Sequence, residues 1–190
     1  HGNQRPPSAQ WTATAAGAVV LSSKPGRSCG RRIRAHTATI GRVIDAGVKD
    51  VNQMGSAMAP AAVDTLLNHL QDTGRNLDYY DLVLTGDLGF IGRDIMRDLL
   101  VDAGLDSQNV YTYYDDCGTL LFDRQQDVHG GGSGCGCSAA VLTGGFLHEM
   151  EQGKLRRILL MSTGALLSTV SSFQGESIPG IAHAIALEVE

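Results

Sequence analysis

Residues able to do chemistry gather in three places. The first is His129-Gly-Gly-Gly-Ser-Gly-Cys-Gly-Cys-Ser138, a glycine run that leads into a helix expected over 138–152. Such a run leaves backbone N–H groups unblocked, and the helix dipole favours negative charge there. Ser133, Gly134, Cys135 and Gly136 could therefore hold a carboxylate or another anion. The same glycines could equally be structural. The Gly-Lys-Ser/Thr ending of a phosphate-binding P-loop is absent, and the match to a dinucleotide fingerprint is loose. The second place is acidic: Asp87 in a Gly-rich turn after a strand, with Asp115 and Asp116 in a second turn. Turns after strands often carry functional side chains in α/β folds, and aspartates in turns also serve as caps. The third is the set of four cysteines, Cys29, Cys117, Cys135 and Cys137. None shows the Cys-x-x-Cys spacing of a zinc or redox site, and each can be a small buried hydrophobe. Pairing Cys117 or Cys135 with His129, His148 or His183 as nucleophile and base is possible but rests on no spacing rule.

These residues need elements to hold them. Ala15–Ser22 reads as a buried strand, Lys24–Arg34 as a charged hairpin tip, and Arg34–Asp45 as a second strand in which His36 is a polar face residue. Met58–Gln71 reads as a helix with Pro60 in its first turn and Val63, Leu66, Leu67 and Leu70 on one face; His69 beside that stripe is structural. Tyr80–Thr85 is a buried strand turned by Gly86–Gly89 into a helix that stops near Gly104. Val110–Tyr114 and Gly118–Phe122 read as strands, as do Arg157–Ser162 and Ile181–Val189. Gly144 and Gly145 inside the helix over 138–152 cost about 1 kcal/mol each relative to Ala. Close packing would offset that, so this helix is expected to be buried. Strands alternating with helices argue an α/β fold.

Composition narrows the function classes. The chain has 190 residues, 43% of them hydrophobic and 18% charged, enough for a packed core. Its 15 basic against 20 acidic residues leave a formal charge of −5, which argues against a general nucleic-acid binder. The apolar stretch Ile158–Leu167 is interrupted by Ser162, Thr163 and Gly164 and is well short of the roughly 20 residues that span a bilayer. No signal-peptide pattern precedes it, and the start at His1 reads as internal, as in a fragment. Four thiols without a disulfide pattern point to a reducing compartment.

Several strings then share one resemblance: Tyr80-Asp-Leu-Val-Leu-Thr-Gly-Asp-Leu88, Asp115-Asp-Cys-Gly118, Gly131-Gly-Ser-Gly-Cys-Gly-Cys-Ser-Ala139, Ser162-Thr-Gly-Ala-Leu-Leu-Ser168, Glu176-Ser-Ile-Pro-Gly-Ile-Ala-His-Ala184 and Asn52-Gln-Met-Gly-Ser-Ala-Met-Ala-Pro-Ala-Ala62. Together, from about Pro7 to Glu190, the chain closely resembles the stage V sporulation protein AD family of spore-forming bacteria. The resemblance implies a thiolase-like fold of two similar halves, each with a buried helix. It makes residues 1–14 the end of the first half and a connector, and residues 15–190 the second half, with the N-terminal half missing. The helix over 138–152 would be the buried helix of the second half. A half-fold exposes the face that packs on the other half, so poor solubility or a homodimer is expected of it alone.

Thiolase-like condensing enzymes also need a His after the strand that here is Asp81–Thr85, and a His or Asn in the glycine-rich loop. This sequence reads Thr85-Gly86-Asp87-Leu88 and Gly131-Gly132-Ser133 instead, with His129 about three positions early. Without those donors, condensation loses its oxyanion stabilisation. The resemblance implies a non-catalytic role with no cofactor: binding dipicolinic acid, or its calcium chelate, for uptake into the developing spore. Partner proteins of the dipicolinate channel would hold it at the periphery of the inner spore membrane. The expected ligand-binding residues are Ser133–Ser138, Asp87, Asp116 and Cys117, with Asp87 and Asp116 repelling a free dianion but able to hold its Ca²⁺. The alternatives are a thiolase-like acyltransferase whose cysteine lies in the missing half, and a scaffold subunit with a vestigial pocket.

Overall fold

A computed structural model describes residues 6–24 and 31–190. Cys29 and the centre of the charged hairpin tip expected at Lys24–Arg34 lie outside the described residues. The main sheet has five strands in the order β2 (Ile33–Ile40), β7 (Gly180–Val189), β6 (Arg157–Ala165), β3 (Leu82–Thr85) and β4 (Tyr114–Asp116). β3 runs parallel to β4 and β6, whereas β7 is antiparallel to both β6 and β2. A two-residue strand β1 (Trp11–Thr12) pairs in parallel with β5 (Gly132–Ser133) in the glycine loop. This is the α/β class expected from the alternation of elements.

Helices cover both faces of the sheet, so the central strands alternate between two cores. Val83, Leu159, Met161, Ala182, Ala184 and Ala186 face one cluster with α1 (Met54–Thr73) and α2 (Gly89–Asp102). Leu84, Ile158, Leu160, Ile185 and Leu187 face the other, where they meet Cys137 and Met150. The alanines of β7 let α1 settle close to the sheet. Gly55 on α1 meets Gly92 on α2 so closely that a methyl at Gly92 would lie 2.8 Å from the Gly55 backbone.

Six expectations are corrected. α1 begins at Met54, four residues early, so Pro60 lies inside the helix instead of in its first turn. Of the two glycine- and alanine-rich helical stretches, α1 is the enclosed one, with Ala57, Met58, Ala59, Ala61, Ala62, Thr65, Leu66 and His69 all buried. The stretch expected to be buried comprises α5 (Cys135–Val141), a π turn at Leu142–Phe146 and α6 (Leu147–Glu151); Gly144 and Gly145 are exposed, and a methyl on either would meet nothing within 4 Å.

The expected strands Val110–Tyr114 and Gly118–Phe122 are mostly helical: α3 spans Ser107–Tyr113 and α4 Cys117–Leu120, leaving Tyr114–Asp116 as the strand. Aspartate caps explain it, since Asp106 accepts from Asn109 N (2.9 Å) and Asp116 from Gly118 N (2.9 Å). The expected second strand stops at Ile40 and carries a register shift between Ala35 and Thr37, around His36. Ala15–Ser22 forms no strand and lies exposed, for among the described residues no strand pairs with it. The structure is completed by α7 (Thr169–Phe173), which leaves Phe173 exposed.

His69 is structural, as expected. It is fully buried, with Nδ1 2.8 Å from Thr39 Oγ1 and Nε2 2.6 Å from Tyr80 OH. Burial, helped by Arg75, holds its pKa below the ordinary histidine value.

Candidate functional site

The C-terminal ends of the parallel strands β3 and β6 bring two of the three chemistry-bearing regions together. Strand register places Thr85 opposite Met161, so the turn after β3 lies beside the end of β6. There Thr163 Oγ1 donates to Asp87 Oδ1 (2.9 Å) and accepts from Asp87 N (3.1 Å). The other carboxylate oxygen, Oδ2, accepts from Gly134 N at 2.7 Å, with Ser133 Oγ at 3.5 Å. Asp87 thus ties the turn after β3 to the glycine loop, 47 residues away in sequence. Gln10 adds a second tie, donating from Nε2 to Asp87 O and to Gly132 O, both at 2.9 Å. Gly134 has φ 99°, a left-handed backbone that a side chain would strain, and it opens α5 with its N–H aimed at Asp87.

Beneath this junction sits Asp116, fully buried at the end of β4. Its Oδ1 accepts from Thr85 Oγ1 (2.7 Å) and Leu88 N (2.9 Å); its Oδ2 accepts from Gly89 N and Gly118 N (both 2.9 Å). Thr85 Oγ1 lies 3.0 Å from Tyr114 OH as well. Burial pushes the Asp116 carboxyl up to about 7, against the four donors that favour its charged form. Asp115 turns away, towards Arg93 Nη1 (3.2 Å) and Thr119 Oγ1 (3.0 Å).

The expected ligand residues therefore occupy two levels. Asp87, Gly134 and Ser138 are partly exposed and Cys135 is exposed, whereas Ser133, Gly136, Cys137, Asp116 and Cys117 are buried. Burial pushes the Cys137 thiol up to about 12 and that of Cys117 higher still, which suits core packing and not nucleophilic attack. The histidines weighed as bases have other neighbours: His148 lies 2.6 Å from Gln152 Nε2, His183 Nδ1 accepts from Gly41 N at 3.1 Å, and His129 Nε2 lies 3.6 Å from Asp127 Oδ1. Among the described residues no group of three or more His, Cys, Asp or Glu side chains could hold a metal ion.

Sequence reasoning missed Thr163, Gln10 and Thr85. Thr163 stood inside the string Ser162–Ser168, but its role depends on strand register, which the string does not carry. Two open depressions lie apart from the loop. One, of about 660 Å³, follows β6 and is lined by Asp45, Lys49, Leu166, Glu176 and Pro179 among others; the second, of about 590 Å³, lies at the end of α1.

Comparison with known proteins gives a family and several solved structures with partial likeness. The family model described as stage V sporulation protein AD matches residues 1–188. A curated relative, stage V sporulation protein AD of Bacillus subtilis (strain 168), is 45% identical over 188 residues, covering 99% of this chain and 53% of the relative. The chain thus spans about half the length of the curated relative it matches. Among solved structures, it is similar over 80% of its length to the acetyl-CoA acetyltransferase of Bacillus anthracis (20% identity, 30% of that chain, TM-score 0.39). It is similar over the same share to a tetronic acid condensing enzyme (18%, 47% of that chain, 0.41) and to human mitochondrial 3-ketoacyl-CoA thiolase (16%, 30% of that chain, 0.39).

Proposed function

The chain belongs to the stage V sporulation protein AD family, and on that premise we propose that it is the second, thiolase-like half of a non-catalytic protein that binds dipicolinic acid or its calcium chelate during sporulation. The observation that carries this reading is the junction of Asp87, Thr163 and Gly134 at the C-terminal ends of β3 and β6. Ligands of open α/β sheets bind outside the carboxyl ends of the strands. The groups nearest solvent there are the Asp87 carboxylate, the Ser138 hydroxyl and the exposed Cys135, which begins α5; of the first amides of that helix, Cys137 N donates to Gly134 O (2.9 Å), which leaves those of Cys135 and Gly136. A ligand carboxylate meets those amides. In the chelate form, Ca²⁺ takes most of its oxygens from dipicolinate and water, and Asp87 is the protein carboxylate that reaches it. Asp116 and Cys117 act from below, by holding the turns.

Two features favour binding over acyl transfer. No His or Asn occupies the turn Thr85–Leu88 or the loop Gly131–Ser133; burial raises the pKa of the Cys117 and Cys137 thiols, and the exposed Cys135 is hydrogen-bonded to no histidine among the described residues. No helix among the described residues is long and apolar enough to cross a membrane; in this reading, association with the inner spore membrane comes through channel partners.

The test is calorimetric titration of the full-length protein with dipicolinate, with and without calcium, and with acetyl-CoA as a comparison. The expected result is saturable dipicolinate binding without thioester turnover, weakened about tenfold or more by Asp87→Asn and Thr163→Val. Absence of dipicolinate binding gives the scaffold alternative precedence, and thioester cleavage restores the acyltransferase. An affinity that calcium leaves unchanged in both the natural protein and Asp87→Asn removes the chelate version.

A further inference from the structure

The depression of about 590 Å³ at the far end of α1 is unrelated to the glycine loop, and its lining has a consistent character. Its floor is apolar: Leu67 and Leu70 from the last turns of α1, Leu77 from the turn that follows, and Leu105 from the link between α2 and α3. Leu67, Leu70 and Leu105 are only partly buried, so the floor presents apolar surface to whatever enters.

The rim is negative. Asp78 and Asp106 line it and both are exposed; Asp106 also caps α3 by accepting from Asn109 N, so its charge is partly offset by that helix's N-terminus and Asp78 is the free carboxylate of the two. Two helices also end on it. Gly74 and Gly104, which close α1 and α2 in left-handed conformations (φ 64° and 96°), are both lining residues. A helix C-terminus carries about half a negative charge. Neither α1 nor α2 has a basic residue in its last turn to neutralise it. One cation lines the depression, Arg75, and it is engaged elsewhere. Its Nη1 lies 3.1 Å from Glu188 Oε1, and its guanidinium stacks 4.1 Å from the Tyr79 ring centre.

We propose that this groove docks a basic amphipathic segment of a partner protein. An apolar side chain of that segment packs on the leucine floor, while its Lys or Arg residues meet Asp78, Asp106 and the two helix ends. Four leucines in an open trough match the i, i+3, i+4 anchors of a helix laid in a groove better than they match a small cation. The acidic rim repels nucleic acid and anionic lipid surfaces.

The test uses the full-length protein and a fluorescein-labelled helical peptide of about 14 leucine and lysine residues, read by fluorescence anisotropy in about 0.1 M salt. Saturable binding is expected, weakened about tenfold by Asp78→Lys and by Leu105→Gln. Asp106→Asn, which keeps the cap on α3, weakens it a few-fold, and Asp98→Lys, on the exposed side of α2, leaves it unchanged. Peptides with serine for leucine, or glutamate for lysine, bind at least about tenfold more weakly. The proposal is overturned by absent binding, by equal loss in Asp78→Lys and Asp98→Lys, or by binding that survives the serine exchange. Spermine displacing the peptide at equal concentration marks a small-cation site and overturns it too. Circular dichroism confirms that each variant is folded, and dipicolinate titration of Asp78→Lys is expected to match the natural protein, which separates this groove from the glycine-loop site.

Discussion

Asp116→Asn tests the construction of the site most directly, because the exchange keeps the shape and changes only the donors. An asparagine has one acceptor oxygen where Asp116 uses two, each with two partners. Its least costly orientation leaves the oxygen with Gly89 N and Gly118 N and puts the amide nitrogen at the Oδ1 position. Thr85 Oγ1 can reverse and accept there, but Leu88 N–H then faces another donor. One buried orphan N–H costs about 1–3 kcal/mol, and the two remaining bonds lose roughly 1 kcal/mol each with the charge. Relief of the buried charge offsets part of this, so the expected net loss near pH 8 is about 2–4 kcal/mol. The pH dependence sharpens the test. Protonated Asp116 donates to Thr85 Oγ1 and still accepts from Leu88 N, so it satisfies every partner. A folded pKa of about 7 lies above the unfolded value of about 3.9. The native state therefore holds this proton in between, and the stability it contributes is complete below about pH 4 and lost as pH rises through 7. Asparagine has no such dependence. Its cost relative to the natural protein is expected to be about 2 kcal/mol larger at pH 5.5 than at pH 8. Urea titrations of both full-length proteins at the two pH values measure it, with equal m-values as the check. A cost under about 0.5 kcal/mol at pH 8, or one that does not change with pH, refutes the reasoning.

His69→Phe removes a group with the opposite sign. The depressed pKa of His69 means that its contribution is present above the unfolded value near 6.5 and lost as pH falls; the cost of the exchange, about 1–3 kcal/mol at pH 8, is expected to shrink towards pH 5 in the same urea assay. Gly92→Ala puts a methyl 2.8 Å from the Gly55 backbone and must part α1 from α2, with an expected loss of about 1–3 kcal/mol visible as a lower Tm. A thiol reagent should modify Cys135 in the native protein and leave Cys117 and Cys137 until denaturant is added, since only the first is exposed; peptide mass mapping reads the order, and early modification of Cys117 contradicts the packing described.

How much of this was legible in the sequence depended on whether the deciding force was local. Val83 and Leu84, or Leu159 and Leu160, sit in continuous apolar runs, and such runs mark a strand covered on both faces wherever it lies. The run Ala57–Val63 is mostly alanine, with Met58 its one large side chain, so its enclosure escaped notice; a helix that is buried for its small size is recognised by what it approaches, here Gly92 and the alanines of β7. Val110-Tyr-Thr-Tyr-Tyr114 has strand composition, but the Asp106 side chain satisfies the N–H groups of a helix, and a cap outweighs weak propensities. Ala15–Ser22 has strand composition too, without a strand beside it. At the site, both glycine turns were readable from local sequence. That Asp87 binds Thr163 was not, because the pairing of β3 with β6 decides it, nor that it binds Gly134, in a loop whose strand pairs with β1 outside that sheet.

The two carboxylates act in series. Asp116 accepts from Leu88 N and Gly89 N, the amides that follow Asp87 in the chain, and so fixes the turn from which the Asp87 side chain projects. Asp87 in turn fixes Gly134, whose left-handed backbone sets the direction in which α5 leaves the loop. Loosening Asp116 therefore displaces Asp87 without touching a ligand, whereas replacing Asp87 releases the loop and leaves the turn in place. If ligand binds at the loop, Asp87→Asn lowers affinity at constant stability more than Asp116→Asn does, and Asp116→Asn lowers stability more than affinity. The opposite ranking places the ligand against the buried carboxylate, a position that the four donors around Asp116 already fill.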